Sequence, residues 1–206
     1  MFDTSRFFIF LSAATLLAVT PGPGIFYVLA RSLHGGRREG IQSAAGTFLG
    51  GMVHVAAAEL GLSAILAASA MAFNAVRYAG AAYLIYLGFS MIRRRAEVAP
   101  AGVRSTNNAF AQGIVTEVLN PKTALFFLSF IPQFVALKQG HVGGQFLALG
   151  AISVTLNTCA DIVVACFAGP LGARIEHSAR FRSRQRTASG LAMIGLGVYV
   201  AAADSK

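Results

Sequence analysis

The chain has 206 residues, 55 % of them hydrophobic and only 12 % charged, about half the charge of an ordinary soluble domain. A net charge of +9 comes from basic residues set in short blocks between apolar runs, without interleaved aromatics, which argues against a nucleic-acid groove and fits membrane topology signals. The class is therefore an integral membrane protein. Cys159 and Cys166 share one apolar run and make neither a disulfide framework nor a metal motif, so no metal and no cofactor is expected.

Six apolar segments succeed one another. The first, 7–29, contains Thr20-Pro21-Gly22-Pro23-Gly24. The 14 residues of 7–20 make roughly 21 Å of helix, too short for a hydrocarbon core of about 30 Å, so the whole run must cross and the break lies at membrane depth. Proline removes a backbone donor and blocks a helical turn, and the freed carbonyls survive in a bilayer only when buried in protein or lining a wet cavity. The run has no clear cleavage site after it, so the segment reads as retained. After a basic loop at 31–40, the second segment, 41–70, carries Gly46 and Gly50 at the spacing of close helix packing, within one subunit in preference to a homodimer. The third is 73–92. Arg93-Arg94-Arg95 open a polar linker that ends at Asn108. The fourth, 110–137, is interrupted at Pro121 and again at Pro132. A short loop, 138–144, leads to the fifth, 145–169, then comes a long basic loop, 170–186, and the sixth segment, 187–203.

The basic residues set the orientation. Twelve of the 17 Lys and Arg fall in loops one-two (Arg31, Arg37, Arg38), three-four (Arg93, Arg94, Arg95, Arg104) and five-six (Arg174, Arg180, Arg182, Arg184, Arg186). The other faces carry Arg6, Arg77, Lys138 and Lys206, and Lys122 is inside a span. The rich loops are expected in the cytoplasm, which places both termini in the periplasm of a bacterial inner membrane.

An internal repeat is also visible. Thr20-Pro21 corresponds to Asn120-Pro121, and Leu49-Gly50 to Leu149-Gly150, at an offset of 100. Arg77, Ala79, Ile85, Leu87 and Gly88 correspond to Arg186, Ala188, Ile194, Leu196 and Gly197 at an offset of 109. Three spans per half make the second half enter the membrane upside down, the arrangement that brings two breaks together near the midplane of transporters. The expected fold is all-α: six transmembrane helices in two inverted-topology three-helix repeats, the first and fourth helices broken at their Pro motifs. One domain, 1–206, comprises repeat 1 (about 1–95), a cytoplasmic linker (about 96–108) and repeat 2 (about 109–206).

Five titratable groups lie inside the apolar runs: His54, Glu59, Glu117, Lys122 and Asp161. Such groups face the bundle interior and mark ion or substrate pathways. Lys122, next to the second break, would either meet a substrate carboxylate or neutralise an acid. Asp161 or Glu117 would carry a coupling proton, with His54 a further candidate, while Glu59 is expected at a wet helix end. There is no phosphate loop, nucleophile elbow or triad spacing, so the chain is not read as an enzyme.

These residues resemble the LysE/RhtB family of amino-acid exporters. The resemblance is carried by Thr20-Pro21-Gly22-Pro23, Gly35-Gly36-Arg37-Arg38-Glu39-Gly40, Gly46 to Gly50, the stretch from Ala79 to Gly88, and Asn120-Pro121-Lys122-Thr123-Ala124-Leu125-Phe126-Phe127 with Pro132-Gln133-Phe134 after it. It implies an inner-membrane exporter of amino acids or close derivatives, closer to the homoserine/threonine branch and driven by proton antiport. Gly24 departs from the pattern, since many members carry Asp or Asn there, and Glu59, Thr116 and Glu117 stand where members are commonly apolar. The expected substrate site is Thr20, Pro21, Gly22, Pro23, Gly24, Asn120, Pro121 and Lys122. Half-helix N-termini would attract a substrate carboxylate and half-helix C-termini its ammonium. The expected partners are a small amino acid, protons and the lipid bilayer. The alternatives are an ion or metal exporter and a non-transporting membrane assembly factor.

Overall fold

The computed structural model describes residues 4–68, 70–93, 108–136 and 140–177, together with 187, 190–191, 194–195, 197–199 and 201–202 of the last segment. Most of the expected linker (94–107) and much of the five-six loop (178–186) lie outside the described residues. All elements among the described residues are helical: α1 Thr4–Val19, α2 Pro23–Ala68, α3 Ala70–Arg93, α4 Ala109–Val118, α5 Pro121–Ser129, a 3₁₀ turn Ile131–Phe134, and α6 Val142–His177.

Proline and asparagine punctuate these elements. Pro23 and Pro121 occupy the first positions of α2 and α5, where a missing N–H costs no helical bond. Asn120 caps α5, its side chain accepting from the Lys122 N–H at 3.1 Å, and Asn108 caps α4 through Ala111 N at 3.0 Å. Between α4 and the α5–3₁₀ unit the axis bends by 50°.

Gly36, at φ 73° and ψ −176°, interrupts α2 in a conformation open almost only to glycine. The chain reverses there. Thr47 lies beside Gly24, Val28 and Ala44 share a buried cluster, and a Cβ on Gly40 would strike the Ser32 hydroxyl. The two arms of α2, 23–35 and 37–68, are thus a helical hairpin that packs chiefly against α4 and α6. The basic loop expected at 31–40 shrinks to this turn. Arg31 is not a loop residue: it is 1 % exposed, and its guanidinium donates to Glu39 Oε2 at 3.2 Å, to the Tyr27 hydroxyl at 3.2 Å and to Gln112. Tyr27 in turn donates to the Ala109 carbonyl at 2.7 Å, so the group ties the hairpin to the start of α4.

An aromatic core lies on the other side of the breaks. Phe10, Phe126, Phe127, Phe130, Phe134 and Phe146 are buried, with Phe130 and Phe134 rings 4.7 Å apart and Phe10 edge-on to Phe134. Outward-facing positions carry large apolar groups such as Phe8, Leu60, Val163 and Phe167, the surface a lipid environment requires. Val142–Ala168, 27 residues at mean hydropathy 1.7, is long and apolar enough to cross a bilayer unbroken. The helices flanking each break, α1 with α2 and α4 with α5, meet that test only together. Helix α6 runs on to His177, so part of the loop expected from 170 is helix.

Candidate functional site

The two breaks meet. Lys122, in the first turn of α5, is 7 % exposed and extends its ammonium to the C-terminal end of α1, donating to Leu17 O at 3.2 Å and Thr20 O at 2.9 Å. The last carbonyls of a helix have no intrahelical partner and carry the negative end of its dipole, so a cation there is favourable. The sequence leaves Lys122 between a substrate carboxylate and an acid; in this structure it binds backbone carbonyls, and among the described residues no ion pair joins it to Glu117 or Asp161. Thr20 closes α1, its hydroxyl donating to Leu16 O at 2.7 Å.

Glu117, one turn before the second break, is 8 % exposed. Its carboxylate accepts from Asn120 Nδ2 at 3.0 Å and from the Thr123 hydroxyl at 2.6 Å. It lies against the first break as well: a Cβ on Gly24 would stand 2.8 Å from Glu117 Oε2. A Cβ on Gly22 would stand 3.3 Å from the Lys122 ammonium nitrogen. Each glycine of the first motif therefore leaves room for one charged side chain of the second.

Asp161, on α6 and 4 % exposed, accepts from the Thr47 hydroxyl at 2.8 Å, its one hydrogen-bond donor among the described residues. Gly24, Thr47, Glu117, Asn120, Lys122 and Asp161 line one small pocket, with Thr123, Asn157 and Thr158 adding polar groups. Of the expected residues, Thr20, Pro21, Gly22, Pro23, Pro121 and His54 are outside this lining; the first five form the turns of the two breaks, and His54 is engaged elsewhere. Its ring nitrogen bonds the Glu117 carbonyl at 2.8 Å and its ring stacks on Phe127, so it steadies the end of α4. Glu59 lies remote from the pocket, beside Gly143 at the start of α6. Gly46 and Gly50 face α4, where Cβ atoms would press on the Phe110 and Ile114 carbonyls.

Sequence reasoning does not single out Thr47, Thr123, Asn157 or Thr158. A signal exists for two of them: Asn157 and Thr158 stand four and three residues before Asp161 in an apolar helix, hence on one face. Thr47 and Thr123 are ordinary helix residues whose role depends on which acid packs opposite.

Two interrupted helices, crossed by a buried lysine and enclosing a polar pocket with two carboxyl groups, define a membrane protein of the discontinuous-helix class. The chain belongs to the LysE type translocator family, whose pattern matches residues 15–204. It is 33 % identical to an uncharacterized membrane protein of Pseudomonas aeruginosa, over 96 % of this chain and 95 % of the relative. It is 31 % identical to a leucine efflux protein of an Enterobacter species, over 72 % of each chain. It is 28 % identical to a homoserine/homoserine lactone efflux protein of Salmonella typhimurium, over 95 % of this chain and 96 % of the relative. No solved structure matches the chain.

Proposed function

We propose that this protein is a secondary exporter of neutral amino acids or close derivatives, leucine- or homoserine-like, working across the bacterial inner membrane by alternating access with proton antiport. The observation that carries the proposal is the pocket beside the two breaks, because it gathers the start of α2 at Gly24, the junction of α4 and α5 at Asn120, and the two buried acids Glu117 and Asp161 around one small space. The efflux relatives named above support the substrate class.

The six spans form two inverted halves. Reciprocal packing supports this layout: a Cβ on Gly88 would meet the Gly190 carbonyl and Ile194, while one on Gly197 would meet the Ala81 carbonyl and Ile85. The offset of 109 that relates Gly88 to Gly197 also relates Ala81 to Gly190 and Ile85 to Ile194, so the contact is self-complementary, as a two-fold axis requires. The hairpin turn at Gly36, flanked by Arg37 and Arg38, is cytoplasmic, and both termini are periplasmic.

In the cycle, the solute's carboxylate is drawn to a half-helix N-terminus and its ammonium to a half-helix C-terminus. Asp161 takes the coupling proton, since it faces the pocket with one hydroxyl donor and, among the described residues, no ion pair. Rocking of one half against the other exposes the site to each side in turn. The test is counterflow in proteoliposomes preloaded with unlabelled amino acids. Labelled leucine or homoserine should accumulate in wild type, and accumulation should be lost in Pro21→Ala and Asp161→Asn at normal membrane insertion. Undiminished activity in both variants refutes the mechanism, and no accumulation of any label in folded wild type refutes the substrate class.

A further inference from the structure

Contacts between the second arm of α2 and α6 grade the molecule from the Gly36 turn to its opposite end. A Cβ on Gly40 would meet Ala165, the Thr47 hydroxyl holds Asp161, a Cβ on Gly51 would meet Val154, one on Gly150 would meet Val55, and one on Gly143 would meet Glu59. Helix α5 joins the same scale. Phe127 lies beside Gly150, and further on the Gln145 side chain bridges the N–H and carbonyl of Ala136. The pocket stands at the level of Asp161 and Val154. Toward the Glu59 end follow Ser153, next to Val154, then Ser129, past Phe127, and then Gln133, before Ala136.

These three residues share a deficit. Among the described residues, four buried side-chain polar atoms have no hydrogen-bond partner in the chain: Asn74 Oδ1, Ser129 Oγ, Gln133 Oε1 and Ser153 Oγ. Asn74 is one turn into α3, which begins where α2 ends beyond Glu59, so all four belong to the half away from Gly36. On the Gly36 side, buried hydroxyls are satisfied: Ser32 donates to the Val28 carbonyl, Ser43 to the Glu39 carbonyl and Thr47 to Asp161. A helical serine can always turn back to a carbonyl one turn earlier, as Ser32 and Ser43 do. Ser129 and Ser153, each 1 % exposed, do not. Gln133 donates through Nε2 to the Ser129 carbonyl at 2.8 Å and leaves Oε1 unbonded. An unbonded polar atom in a low-dielectric interior is destabilising, and a group of them on one side of a pocket calls for a partner from outside the chain.

We infer that Ser153, Ser129 and Gln133 line the route by which a polar solute and its water leave the pocket toward the Glu59 end, and that the phenylalanine core is its closed gate. The inference rests on the exporter reading above, which puts that end in the periplasm. With Phe130 and Phe134 rings 4.7 Å apart and Phe10 edge-on to Phe134, the route is shut. When the rings part, the orphaned atoms gain partners, so opening recovers hydrogen bonds that the closed state forgoes. None of the three side chains is charged. Each stop therefore holds a zwitterionic or hydroxylated solute weakly enough to pass it on, as conduction requires.

Two readouts on the full chain test the route. Ser129→Cys and Ser153→Cys nearly keep the size of the side chain. In right-side-out membrane vesicles, a membrane-impermeant methanethiosulfonate should modify them severalfold faster than wild type, whose own thiols are Cys159 and Cys166, and faster still during amino-acid counterflow. Leu147→Cys, on the outward-facing apolar surface, should stay at the wild-type rate. Ser129→Ala and Ser153→Ala each delete an unbonded hydroxyl, so they should melt a few degrees above wild type while transport falls severalfold. A higher midpoint with undiminished transport overturns the route, and so does a midpoint below wild type, which means that the hydroxyl is bonded. Folded cysteine variants modified no faster than wild type overturn it as well, and they decide the matter if the alanine variants do not fold. Rapid modification without counterflow of any amino acid would keep the route and count against the exporter reading instead.

Discussion

Two glycines on the same helix should respond to alanine with opposite signs. Gly46, on the second arm of α2, packs on backbone: a Cβ there would overlap the Phe110 carbonyl and stand 3.0 Å from Gly113 Cα. Neither atom can rotate away, so relief requires α4 to move off by about 1 Å. Over a contact about two turns long and about 9 Å wide this opens roughly 100 Å³. At about 24 cal/mol per Å³ the gap costs about 2.4 kcal/mol, of which the better helix propensity of alanine returns about 1 kcal/mol. Gly61, a few turns along the same arm, has nothing within 4 Å of its would-be Cβ, so Gly61→Ala gains about 0.5–1 kcal/mol with no opposing term. For a chain of this size each kcal/mol moves the midpoint by about 2–4 °C. Thermal unfolding in nanodiscs should therefore show Gly46→Ala melting about 3–6 °C below wild type and Gly61→Ala a few degrees above it. Transport should fall in Gly46→Ala alone, because α4 carries Glu117, whose Cβ lies 2.7 Å from a would-be Cβ on Gly50 one turn further on. If Gly46→Ala melts at or above wild type, the tight α2–α4 crossing is wrong.

Gly36→Ala forces a side chain into a positive-φ conformation and should cost about 1–3 kcal/mol, read as a lower thermal midpoint; a midpoint equal to wild type would mean that the reversal at Gly36 is wrong. Thr123→Val removes one of the two donors to the Glu117 carboxylate and should cost about 1–3 kcal/mol; a midpoint equal to wild type would mean the bond is not formed. Tyr27→Phe leaves the Ala109 carbonyl and the Arg31 Nε–H without their partner hydroxyl and should cost about 1–3 kcal/mol, with faster proteolysis at the hairpin as a second readout.

Local chemistry, with the bilayer as solvent, is legible along the chain without any knowledge of the fold. Apolar run lengths imply spans, proline at membrane depth implies a break, and Asn120 before Pro121 implies a helix start, whatever else the chain does. The glycines at 46 and 50 announce close packing by their spacing alone. Which charge faces which carbonyl is not local. Lys122 reaches α1 across 105 positions and Thr47 reaches Asp161 across 114, and no periodicity within one helix encodes such pairs. Arg31 shows the same limit: by position it reads as a loop cation, yet the Gly36 reversal folds it against Glu39, Tyr27 and Gln112. Against the family pattern Gly24 stands where many members carry Asp or Asn, and only the crossing of α4 beside α2 reveals that the Glu117 carboxylate stands against its missing side chain. Burial in a low-dielectric interior makes each charge seek a partner; the geometry with which the helices cross decides which partner is within reach.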